Sequence, residues 1–121
     1  MYSIKVKDHF DSAHLIRGHE GKCRNLHGHR WEVEVSFSCS LLNKMGMAED
    51  FSVLKKILKK NLQHYDHQNL IEVEPYNRIN PTAENIAFEL FHAIKKETPS
   101  PLCIEYVSVW ESPECCVSYK E

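Results

Sequence analysis

Eight histidines against four glycines set this chain apart, and five of the eight, His9, His14, His19, His27 and His29, fall within its first 29 residues. Neutral imidazole is a common ligand for transition-metal ions, and such an ion needs several donors aimed at one point. His27 and His29 stand at i and i+2 in Leu26-His27-Gly28-His29-Arg30-Trp31, so on an extended chain both rings project from the same side. Gly28 between them allows close backbone approach. His14 closes the segment Phe10-Asp11-Ser12-Ala13-His14, where an antiparallel neighbour brings it alongside the pair. Three histidines with no evident fourth protein ligand form the arrangement of a catalytic zinc, which keeps a position open for water or substrate. The same three rings at the rim of a core, or on the surface beside a turn, would need no metal.

Cys23 lies four residues before His27. It is a fourth ligand that would close the site, or a nucleophile or base held beside the metal. The flanking Lys22 and Arg24 favour thiolate, and so polar a loop is a poor setting for a buried, inert cysteine. Asp66-His67 is the other pair with chemical content, because a carboxylate beside an imidazole raises its basicity and fixes its orientation for general acid/base work. Adjacent Asp and His also occur without any such role.

Composition narrows the classes of partner. Fifteen Lys and Arg against 17 Asp and Glu give a net charge of −2, without the basic excess of a domain that lives on phosphate backbones. No run approaches the roughly 18 apolar residues of a membrane span, and the opening residues lack an apolar signal region. The expectation is a cytoplasmic protein that binds neither nucleic acid nor membrane. Five cysteines without a C-x-x-C pattern suit reduced thiols better than a disulfide framework or a zinc ribbon. The 121 residues make one domain, 1–121, able to bury a core of its own.

The elements that must position these groups follow from periodicity. Tyr2, Ile4 and Val6 alternate with polar residues, which predicts a strand that can run on toward Phe10 and Ala13; a glycine-containing loop, Arg17 to Asn25, follows. Trp31, Val33, Val35, Phe37 and Cys39 form one face of a second strand, with Glu32, Glu34, Ser36 and Ser38 on the other. Asp50 caps a helix whose apolar stripe is Phe51, Leu54, Ile57, Leu58 and Leu62, with Lys55, Lys56, Lys59 and Lys60 on a solvated face. Thr82 caps a second helix carrying Ala83, Ile86, Ala87, Leu90, Phe91 and Ile94 on one side, and Pro99 and Pro101 end it. Strands near 103–111 and 116–119, separated by Ser112 and Pro113, close the chain. The order ββααββ predicts an α+β layer, a four-stranded antiparallel sheet with two helices on one face.

Taken together, Phe10-Asp11-Ser12-Ala13-His14, Cys23-Arg24-Asn25-Leu26-His27-Gly28-His29, Asp50-Phe51, Asp66-His67, Asn80-Pro81-Thr82-Ala83-Glu84-Asn85 and Trp110-Glu111-Ser112-Pro113 resemble the 6-pyruvoyltetrahydropterin synthase family. Within it, the three residues between Cys23 and His27 resemble the 6-carboxytetrahydropterin synthases of queuosine (7-deazaguanine) biosynthesis. Tyr65, where Leu often precedes Asp-His, and Arg30-Trp31 after His27-Gly28-His29 depart from the pattern. The resemblance implies the tunnelling fold and zinc held by His14, His27 and His29. It further implies Cys23 as catalytic thiol, an Asp66-His67 relay, and Glu111 as the acid that anchors a pterin ring, with Thr82 and Glu84 also on the substrate. It implies a homohexamer built as a dimer of trimers, acting on a pterin triphosphate at the subunit boundary. Loss of triphosphate alone, giving the 6-pyruvoyl product, and a non-catalytic zinc module closed by Cys23 are the alternatives. Arg17, Lys22, Arg24 and Arg30 are candidates for the triphosphate.

Overall fold

A computed structural model describes residues 1–121. Four strands, β1 (Tyr2–His14), β2 (His27–Cys39), β3 (Cys103–Ser112) and β4 (Cys115–Tyr119), form an antiparallel sheet in the order β1-β2-β3-β4. Between β2 and β3 the chain makes two helices, α1 (Phe51–Leu62) and α2 (Ala83–Glu97). The expected ββααββ layer is therefore what the chain forms.

One face of the sheet is buried because the alternation in β2 continues across its neighbours. Trp31, Val33, Val35, Phe37 and Cys39 meet Val6 and Phe10 of β1 and Val107 and Val109 of β3 in one apolar layer. Leu54, Leu58 and Leu62 of α1 and the six predicted residues of α2 close it from above. The caps are as expected: the Ser52 amide donates to Asp50 Oδ1 at 2.8 Å, and the Asn85 amide to Thr82 Oγ1 at 3.1 Å. Each satisfies one of the amides that a helix start leaves unpaired.

Phe51 departs from the predicted stripe. It is 63% exposed and, as the first helical residue, lines an open surface hollow with Tyr2 and Ile4 of β1 and with Leu42 and Met47. Ile57 packs at the margin of the core and is only partly buried. The four lysines of α1 are exposed, and Lys60 Nζ pairs with Glu97 at 3.1 Å, in keeping with a solvated face.

The first two strands are longer than their clearest alternation. They pair without a break from Tyr2↔Cys39 to His14↔His27, so His27 and His29 belong to β2 and continue the inward face of Trp31. The same register sets Ser12 opposite His29. Beyond the cover of the helices, the apolar face of the sheet thus turns into a histidine face.

Candidate metal centre and active site

His14, His27 and His29 meet at the end of the β1–β2 ladder, with ring centroids 4.5, 5.0 and 4.7 Å apart. Trp31 forms their floor, its ring edge-on to His14 at 4.8 Å and to His29 at 5.3 Å. Two rings are held by the backbone. His14 Nδ1 donates to the Pro81 carbonyl at 2.8 Å, and His27 Nδ1 to the Asn25 carbonyl at 2.6 Å. Each bond places the proton on Nδ1 and leaves the Nε2 lone pair free, which is how ligand histidines are oriented in metal sites.

The fourth donor at this point is Glu111. β3 carries a bulge between Trp110 and Ser112, and Glu111, two residues past Val109, continues the inward face that Val107 and Val109 share. Its Oε1 lies 3.1 Å from His14 Nε2 and 3.2 Å from His29 Nε2. Both Nε2 atoms are buried without a hydrogen-bond partner. Burial holds the pKa of His14 and of His29 below the ordinary value, against the pull of the nearby Glu111 carboxylate. His14, whose proton the Pro81 carbonyl holds on Nδ1, turns its Nε2 lone pair toward the carboxylate, an arrangement that a cation relieves. One ligand atom from each of His14, His27, His29 and Glu111 lies within 4.8 Å of the others, so the group could hold a metal ion.

Cys23 occupies a 3-10 turn, Lys22–Arg24, and is half-buried. It is not one of the four converging donors. It lines, with Lys22, His27, His29 and Glu111, a cavity of about 280 Å³. Glu111 also forms a wall of a second hollow of about 220 Å³, whose other sides are Ala83 and Glu84 of α2 and Cys115, Cys116 and Val117 of β4. Glu84 therefore stands near Glu111, as does the start of α2, where Thr82 acts as the cap.

Asp66 and His67 do not line either hollow. Asp66 Oδ2 is 2.9 Å from His67 Nδ1, and its Oδ1 accepts the Asp11 amide at 2.9 Å. That amide, with His67 behind it, keeps the Asp66 carboxyl below its usual pKa. His67 sits at φ 57°, in the left-handed region that only a tight turn demands of a non-glycine residue. Its amide donates to the Asp11 carbonyl at 2.7 Å, which fixes the pair to the outer edge of β1. Its side chain is 79% exposed.

Of the basic residues considered for triphosphate, Arg17 spends its guanidinium on the carbonyls of Tyr76 and Ile79. Arg30 pairs with Asp11 at 2.9 Å. Arg24 is exposed, and Lys22 faces the cavity. Sequence reasoning missed the Pro81 and Asn25 carbonyls, since any residue type supplies one. It also gave Glu111 no place beside the histidines; an acid two residues past an alternating run was the only signal.

A model of the 6-pyruvoyl tetrahydropterin synthase family matches residues 3–121. The 6-carboxy-5,6,7,8-tetrahydropterin synthase of Haemophilus influenzae is 35% identical, with 100% of both chains covered. The dihydroneopterin monophosphate aldolase of Pyrococcus furiosus is 34% identical over 87% of this chain and 85% of its own. The solved 6-pyruvoyl tetrahydropterin synthase of Caenorhabditis elegans superposes with a TM-score of 0.90 at 28% identity, covering 99% of this chain and 95% of that one. Sequence matched from the first strand to the last residue, on a shared fold, makes this chain a member of the 6-pyruvoyl tetrahydropterin synthase family.

Proposed function

We propose that the protein is a zinc-dependent lyase that converts 7,8-dihydroneopterin triphosphate and water to 6-carboxy-5,6,7,8-tetrahydropterin, acetaldehyde and triphosphate, in queuosine biosynthesis. The observation that carries the metal part is the pair of buried Nε2 atoms, on His14 and His29, with no hydrogen-bond partner. A nitrogen-rich donor set of three imidazoles suits zinc among the divalent ions. His14, His27 and His29 would hold it, and zinc bound there would acidify and orient side-chain hydroxyls of the substrate.

The residues of the chain divide the remaining work. Glu111, on the wall between the two hollows, accepts parallel hydrogen bonds from the ring N–H and exocyclic amino group of the pterin. Thr82 and Glu84, at the start of α2, complete the ring pocket. Cys23 faces the metal side of Glu111 and removes a proton from the substrate side chain as a thiolate. Lys22 neutralises charge on the departing triphosphate. His67, oriented by Asp66, moves protons during triphosphate loss and tautomerisation, and it acts on the site of a neighbouring subunit in a homohexamer built as a dimer of trimers.

Support for the carboxy product comes from the full-length similarity to the Haemophilus influenzae protein of that name and from the short Cys23–His27 spacing. The test is incubation of the purified protein with 7,8-dihydroneopterin triphosphate and, separately, with dihydroneopterin monophosphate, each with and without added zinc, and identification of the products by mass. Acetaldehyde with the 6-carboxy pterin is the expected result. The 6-pyruvoyl product would establish elimination alone. Cleavage only of dihydroneopterin monophosphate would favour an aldolase, and no conversion of any of these would leave a binding module.

A further inference from the structure

The loop that carries Cys23 has almost nothing apolar to hold it. From Leu15 through Arg30 no residue is buried, so its shape depends on polar tethers rather than on packing. Inside the loop the Ile16 amide donates to the Cys23 carbonyl at 2.6 Å, which ties the thiol's backbone to the residue before Arg17. Gly18, at φ +82°, then turns the chain away in a conformation that a side chain would strain.

Arg17 and Asn80 join this loop to the body. The Arg17 amide donates to Asn80 Oδ1 and Asn80 Nδ2 donates to the Arg17 carbonyl, both at 2.9 Å. The side-chain amide of Asn80 thus takes the place of a strand partner. The guanidinium reaches further: one nitrogen donates to Tyr76 O at 2.9 Å and to Ile71 O at 3.5 Å, the other to Ile79 O at 3.2 Å. These carbonyls lie in a segment without a ladder of its own, and a planar fork suits them where a single ammonium would not. Asn80 is held in turn, its carbonyl accepting Asn85 Nδ2 at 2.8 Å. The next residue, Pro81, supplies the carbonyl that orients His14.

We infer that Arg17 and Asn80 are positioning residues, a polar latch that holds the Cys23 loop against the start of α2 so that the thiol faces the cavity beside the histidines. This rests on the reading that Cys23 works in that cavity. It also gives Arg17 a task other than triphosphate binding, since its donors are already committed to carbonyls.

The latch is tested in Arg17→Met, which keeps a stem and removes the fork, in Asn80→Ala, and in Arg17→Lys. The rate of iodoacetamide alkylation is measured by mass spectrometry at Cys23, Cys103, Cys115 and Cys116 of the full chain, each against its own wild-type rate. Local release of the loop should raise the Cys23 rate about threefold or more in the Met and Ala variants. Arg17→Lys should lie between, and the other three thiols should not change. Turnover should lose kcat with KM little altered. An unchanged Cys23 rate, or an equal rise at all four thiols, overturns the latch. If Asn80→Ala does not fold, the exposed Arg17 variants decide the question alone. Alkylation needs no turnover, so a wild-type protein that converts no pterin would overturn the functional reading and leave this result to stand or fall separately.

Discussion

At the scale of single residues, the candidate centre is defined by which nitrogen of each histidine carries its proton. The carbonyls of Pro81 and Asn25 settle this for His14 and His27, so removing one ring removes an oriented donor rather than a loose one. His29→Ala or His27→Ala should strip zinc from the protein, because two remaining imidazoles, with Glu111 given to the pterin ring, hold it poorly. Cys23→Ala should retain zinc and lose turnover. Metal analysis of the three purified variants checks both, and release of zinc by Cys23→Ala would make the thiol a ligand.

The same burial gives the metal-free protein a pH dependence whose sign can be worked out. Burial lowers the pKa of His14 and His29 below the ordinary histidine value of 6.5. Between the lowered value and 6.5 the unfolded chain binds more protons than the native one, so stability falls as pH falls through that window. Denaturant melts of the zinc-free protein at several pH values below neutrality should show this decline, and His29→Gln should flatten it. A metal-loaded sample should decline more steeply, since protons then also compete with the ion.

At the scale of elements, the site is a by-product of strand register. The β1–β2 pairing that buries Phe10 on Trp31, with ring centroids 5.7 Å apart, also brings His14 to His27 two pairs after Ser12 meets His29. Trp31 is fully buried and supports two of the three imidazoles, so Trp31→Ala should cost about 3–5 kcal/mol of stability and weaken zinc binding as well. Thr82→Ala, which removes the cap of α2, should cost about 1 kcal/mol in the same denaturant melts. What was legible in the sequence follows the same division. The alternation of β2 and the stripe of α2 are periodic, and periodic burial leaves a pattern that can be read. The three histidines were legible because their type is rare and their spacing continues that alternation. Glu111 beside them was not, because its inward side follows from alternation after Val109 but the pairing that sets β3 against β2 is long-range and leaves no mark in residue spacing. Phe51 was misplaced because periodicity says which side of a helix a residue lies on, and not whether its neighbours there close over it.

At the scale of the whole molecule, the groups assigned to one reaction lie at different edges of the sheet. The hollow walled by Glu111 opens beside β4, while Asp66 and His67 are fastened to the far side of β1 through Asp11. Along β1 alone, Asp11 stands three residues, roughly 10 Å, from His14, and its side chain belongs to the opposite face. Both β1 and β4 are outer strands of the sheet, and exposed strand edges are natural sites for pairing with another chain. Joining β4 of one copy to β1 of the next would bring the Asp66-His67 pair of the second toward the Glu111 hollow of the first. On this arrangement Cys23→Ala and His67→Ala each inactivate a different half of every shared site. Unfolded and reassembled together, the two variants should form some sites with both groups intact and regain a fraction of wild-type activity, while either variant reassembled alone should stay inactive. Differently tagged chains would verify that mixed oligomers form. Activity that stays absent from verified mixtures would mean that each site is built within one chain, with His67 reaching it by a rearrangement of the turn after α1.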